Sequence, residues 1–203
     1  MANFDPKRFA SLSDFTATNI ISSVIEVEGG YSNNKLDAGG ETMYGITKDT
    51  ARLYGYAGSM AELTKRTAYD IYYNAYWKKN RCDELEEVHP LIAFHVFDLA
   101  VNGGSARAGQ HLQRLLNVSN RHGKDYADIA TDGAIGPGTV RALQDFARRN
   151  GPQGVKNFVI TLIGMQANFY ISITENKASN EEFMNGWMAR AGSKLLLAAK
   201  FLS

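Results

Sequence analysis

The sequence predicts a mainly α fold: a helical bundle carrying one small β-hairpin lobe. Apolar residues recur at helical spacing through nearly every long segment. Turn-forming Gly, Asn and Asp crowd between residues 31 and 47, the one stretch with strand candidates. No internal repeat, low-complexity run or Pro- or Ser-rich linker divides the 203 residues, so a single compact unit is expected.

The elements follow in order. Residues 19 to 28 form the first helix, with Ile21, Val24, Ile25 and Glu28 on one face. After the 31–47 lobe, Thr47 or Asp49 caps a short helix through Tyr54, and Ser59-x-x-Glu62 fits a capping box. Residues 66 to 79 place Tyr69, Tyr72, Tyr73, Tyr76 and Trp77 together on a helix. Pro90 to Val101 is apolar nearly all round, as a central buried helix is. Asn102-Gly103-Gly104 ends it, and Ser105 caps the next, which runs to about Asn117. Residues 118 to 135 read as a polar loop. Pro137 opens a helix through Arg149, Asn150-Gly151-Pro152 breaks the chain, and a helix over 154–175 follows. A final helix runs to about residue 201 after Ser179-x-x-Glu182. Its apolar, lysine-flanked end from Lys194 to Phe201 is expected to dock on the body, with membrane contact the weaker alternative.

Bulk properties exclude several classes. Net charge is +1, which argues against nucleic acid as a partner. Cys82 is the sole cysteine, so no intramolecular disulfide holds the fold. No stretch has the length and apolarity of a signal peptide or a spanning helix, and synthesis in the cytoplasm is expected. A monomer is expected.

Glu28 is the informative residue. It follows three core positions and precedes a glycine pair in Glu28-Gly29-Gly30-Tyr31. Burial disfavours a charged carboxylate, and a helix C-terminus adds a negative dipole end; both favour a carboxyl that keeps its proton, as a general acid must. Asp37 lies on a polar turn nine positions later and is expected to stay ionised; Thr42 follows five after that. One protonated and one ionised carboxyl make the pair that glycoside hydrolysis requires. Read singly, Asp37 is an Asx-turn residue and Thr42 a strand threonine.

The motif Glu28-Gly29-Gly30-Tyr31, then Asp37-x-Gly39-Gly40-x-Thr42-x-Tyr44-Gly45-Ile46-Thr47, resembles the signature of the phage endolysin and bacterial N-acetylmuramidase family, glycoside hydrolase family 108. Ile71-Tyr72-x-x-x-Tyr76-Trp77, Phe97-Asp98-x-Ala100-Val101-Asn102-x-Gly104 and Gln113-Arg114 continue the resemblance. Asp132-Gly133-x-Ile135-Gly136-Pro137-x-Thr139 is similar to the family's peptidoglycan-binding part, and Phe183-Met184-x-Gly186-Trp187-x-x-Arg190 to its C-terminal end. The likeness spans roughly residues 19 to 190. It implies a lysozyme-like fold, with a catalytic motif region at 15–110 and a peptidoglycan-binding-like region at 111–190. It also implies a Glu28/Asp37/Thr42 catalytic set that cuts the β-1,4 bond between N-acetylmuramic acid and N-acetylglucosamine. Release through a membrane opened by a phage holin is a further implication. A lytic transglycosylase acting on the same bond, or a non-catalytic wall-binding protein, are the alternatives.

Further candidates surround this set. Tyr31 and Tyr44 flank the carboxylate motif and are expected to contact substrate. Trp77 divides evenly between core packing and sugar stacking. The resemblance favours Asn102 as a ligand for an N-acetyl group or the attacking water, against a plain C-cap role. Asp98, four residues earlier on the same face, is a substrate-side candidate or a support for its neighbour. His89, His95, His111 and His122 show no metal-binding spacing, so neither metal nor cofactor is expected. Cys82 sits in an acidic run that blunts a thiolate nucleophile. The Asp132–Pro137 turn divides about equally between a structural role and wall contact.

Overall fold

The computed structural model describes residues 6–33 and 40–202. Helix α1 spans Ala17–Val27 and is capped by Thr16, whose side-chain oxygen accepts from the Asn19 amide. Ile20, Ile21, Val24 and Ile25 are its buried stripe. A three-stranded antiparallel sheet follows, ordered β1 (Ser32–Asn33), β2 (Glu41–Met43), β3 (Ile46–Thr47). Helices α2 (Lys48–Leu53), α3 (Lys65–Tyr72), α4 (Cys82–Val88), α5 (Pro90–Gly103) and α6 (Ser105–Ser119) come next, then α7 (Pro137–Glu175) and α8 (Glu181–Leu202). The mainly helical fold with a small hairpin lobe is therefore the observed one.

α5 is the axis of the molecule. Every residue from Leu91 to Ala100 is buried, and α4, α6 and α7 pack around it. His89 starts it, its Nδ1 accepting from the Leu91 amide. One continuous core runs from Phe9 and Phe15 through α1 and α5 to Leu202. The end of α8 docks on the N-terminal segment: Phe201 meets Phe15 edge-on at 5.5 Å, and Lys200 Nζ donates to the Phe9 carbonyl. No helix among the described residues is long and apolar enough to cross a membrane.

Several local expectations need correction. The 66–79 helix is not uniform, because α3 passes into a π-helical turn over Tyr73–Lys78. A π turn aligns residues five apart, which brings both Tyr72 and Trp77 inward onto Phe97. The acidic run from Asp83 is itself helical, in α4, with Asp83 and Glu84 at its dipole-favoured N-terminus. Ser105 begins α6 without capping it, and its hydroxyl accepts from Asn80 Nδ2 instead. The break at 150–152 is a kink within α7, where Gly151 takes φ +63° and ψ −171° ahead of Pro152.

Candidate functional site

Glu28 is the C-cap of α1, its amide bonded to the Val24 carbonyl. It is half-buried rather than a core residue. The helix holds four aliphatic side chains in the core and delivers the carboxyl to the rim of a cleft of about 330 Å³. Gly45, Ile46, Thr47, Thr50, Tyr72, Tyr76, Val101 and Asn102 complete that lining.

The opposite wall is the β2–β3 hairpin. Met43 pairs with Ile46, so the turn is Tyr44-Gly45, with φ of +52° and +73°. Two positive φ values fit a type I′ turn, the kind that matches strand twist. A left-handed tyrosine is strained, and here the Tyr72 hydroxyl donates to the Tyr44 carbonyl at 3.0 Å and pins it. A side chain at Gly45 would strain the backbone and displace its neighbours. A Cβ there would lie 2.8 Å from Glu28 Oε2 and 2.9 Å from Tyr72 Oη. The carboxyl and the phenol thus converge on one glycine. Burial, with the Glu28 charge adding to it, holds the Tyr72 phenol well above its usual range, so it remains a proton donor. Gly45 and Tyr72 both stand in motifs legible in the sequence, which assigned neither of them a role in the site.

The other expected residues separate. Asn102 lines the cleft, its Nδ2 donating to the Asp98 carbonyl, which leaves the amide oxygen for a ligand. Thr42 pairs with Thr47 in register, so the two share a face of the sheet, and Thr47 lines the cleft. Asp37 lies outside the described residues; the nearest described register partners are Asn33 and Glu41. Tyr31 is exposed beside the lobe, its hydroxyl donating to Glu41 Oε1.

Trp77 and Asp98 are not substrate contacts. Trp77 is fully buried and its Nε1–H donates to Asp83 Oδ1, so the indole finds its partner inside the protein. Asp98 is 2% exposed and meets Arg190 at 2.6 Å and Lys194 at 2.8 Å. Gln166 Nε2 adds a longer hydrogen bond to it. Burial alone would raise the Asp98 carboxyl, but the Lys194 and Arg190 charges override it and hold the group well below the carboxylate range. Asp98 therefore clamps α5 to α8 beneath the cleft floor.

The Asp132–Pro137 turn is fastened to α6 by side-chain hydrogen bonds. Gln113, buried on α6, donates to Asp132 Oδ1 and the Ala134 carbonyl and accepts from the Gly133 amide. Gly109 lets the turn close: a Cβ there would fall 2.1 Å from the Gly133 carbonyl oxygen. Burial, with Asp83 and Glu86 adding to it, pushes the Cys82 thiol up, which leaves it inert.

Residues 21–104 match the family model described as Glycosyl hydrolase 108, and residues 107–192 match that of a Predicted Peptidoglycan domain. The first segment is thus similar to glycosyl hydrolase family 108 and the second to a peptidoglycan domain, and the chain is a lysozyme-like glycoside hydrolase acting on peptidoglycan. It is similar to a solved structure of Brucella abortus SagA, with 25% identity over 92% of this chain and 95% of that one, at a TM-score of 0.64. No curated protein matches it.

Proposed function

We propose that this enzyme is an endolysin that hydrolyses the β-1,4 bond between N-acetylmuramic acid and N-acetylglucosamine. The observation that carries the reading is the Glu28 carboxyl. It is half-buried at a helix end, faces a cleft, and lies where a Cβ on Gly45 would press against it. In the proposed reaction Glu28 protonates the departing glycosidic oxygen. Asp37, with Thr42 beside Thr47, steers water or stabilises the cationic sugar. Asn102 and Tyr44 hold the substrate from either wall. Tyr31, at the edge of the lobe, extends the contact. The chain is made in the host cytoplasm and reaches the wall once a holin has permeabilised the membrane.

The test is mass analysis of fragments from purified sacculi. Hydrolysis leaves a reducing muramic acid end, and that product is expected. Anhydro-muramic ends would identify a transglycosylase, and binding with no new ends a non-catalytic wall protein.

A further inference from the structure

A second and larger groove lies away from Glu28. It runs between α6 and the C-terminal half of α7, inside the segment that matches the peptidoglycan domain, and holds about 530 Å³. That is ample for a small ligand, since such pockets span roughly 300–1,000 Å³. Arg107, His111 and Arg114 line it from α6 at i, i+4 and i+7. Thr161, Met165, Asn168 and Ser172 face them from α7 at the same helical spacing, and Gly164 leaves the middle of that wall open.

The chemistry of the groove is one-sided. No acidic residue lines it, and among the described residues neither Arg107 nor Arg114 has a carboxylate partner. The Arg107 guanidinium is stacked 4.0 Å above Phe169, which fixes its plane while leaving its N–H groups available. His111 is 95% buried on this wall by its 5% exposure, and its Nδ1 has no hydrogen-bond partner. Burial, then Arg114, Arg107 and Lys194, lower its imidazole to about 4, so near neutral pH it adds a neutral polar contact. Two forked cations and an unsatisfied polar atom around an open, partly apolar slot fit an anion carried on an alkyl frame.

The groove also adjoins the cleft. Gly103 directly follows Asn102, a cleft residue, in α5. A Cβ on Gly103 would lie 3.6 Å from Arg107 Cδ and 3.7 Å from Phe169 Cε1. The backbone that ends the cleft therefore begins the groove. In peptidoglycan, the muramic acid carries a short peptide stem with several carboxylates. Fully extended, four residues reach roughly 13 Å.

We propose that the groove between α6 and α7 binds the carboxylates of the peptidoglycan stem peptide, through Arg107 and Arg114, while the glycan strand occupies the cleft at Glu28. This rests on the muramidase reading for the position of the glycan. The stem then selects which muramic acid sits beside Glu28, so the groove sets specificity for peptide-bearing strands.

The experiment compares full-length wild type, Arg107→Gln/Arg114→Gln and Gly164→Glu on glycan strands with their stems and on the same strands stripped by an amidase. A Cβ on Gly164 meets nothing within 4 Å, and Gly164 lines the groove, so the glutamate places a negative charge there. Both variants are expected to raise KM on peptide-bearing strands by about tenfold or more, with kcat on stripped strands unchanged. Equal losses on both substrates, or no loss on either, would overturn the proposal. In parallel, the free stem tetrapeptide is titrated into wild type and the double variant, with inorganic phosphate as comparison. Saturable binding of the peptide only to wild type is expected. Phosphate binding as tightly, or peptide binding equally to both proteins, would overturn the assignment. If wild type cuts neither substrate, the muramidase reading fails, and the titration still decides the groove.

Discussion

Gly45 ties the site together at the scale of single residues. Its position under the Glu28 carboxyl predicts that Gly45→Ala pushes that carboxyl out of line and strains a backbone at φ +73°. We expect kcat on peptidoglycan to fall about 100-fold, with a stability loss of roughly 1–2 kcal/mol; turnover assays beside thermal melts check both. An alanine variant with wild-type turnover would show that the carboxyl does not depend on this contact. Tyr72→Phe is expected to free the Tyr44 carbonyl and cost about 1 kcal/mol, read as a lower Tm, with a milder loss of activity. Residue-level legibility followed local spacing. Glu28 was legible because helical periodicity put it on a core stripe that ends at two glycines. Asp98 and Trp77 were not, because their partners decide their roles. Arg190 is 92 positions from Asp98, and the Asp83 that satisfies Trp77 sits beyond a π turn.

At the scale of elements, caps and breaks explain where helices start and stop. Thr47 accepts from the Thr50 amide and so begins α2 on the cleft wall. Thr47→Ala is expected to cost about 1 kcal/mol and, by loosening that wall, to raise KM; urea melts and steady-state kinetics measure the two effects. Gly151 sits in a region of φ/ψ that is nearly glycine-only. Gly151→Ala is therefore expected to destabilise by about 1–3 kcal/mol without touching the cleft, so turnover of the folded enzyme is unchanged. The kink itself was legible as Asn150-Gly151-Pro152. The π turn was not, because apolar residues five apart in an aromatic-rich helix look the same as a misplaced i+4 pattern. Helix α4 hid for a different reason: its acidic residues mask the buried pair Cys82 and Leu85 that holds it down.

For the whole molecule, the buried Asp98–Arg190–Lys194 cluster binds the hydrolase half to the last helix. Asp98→Asn leaves two cations without a counter-charge and is expected to cost about 3–5 kcal/mol, measured by denaturant titration at neutral pH. The pH dependence has a definite sign. The Asp98 carboxyl is depressed in the folded protein, so its stabilisation is present above the unfolded value near ~3.9 and is lost as pH falls below it. Wild type is thus expected to lose stability steeply below that pH, and Asp98→Asn to show a flatter acid limb. Because the core is continuous from Phe9 to Leu202, cleft and groove are held in one frame, which the proposed shared use of a single glycan strand requires.

The central claim is that Glu28 supplies the proton for bond cleavage. The most direct measurement is the rate of fragment release from purified sacculi by wild type and Glu28→Gln side by side, with matched circular dichroism spectra. The account predicts a folded variant that releases no fragments above background. A folded Glu28→Gln that digests sacculi at the wild-type rate would contradict it.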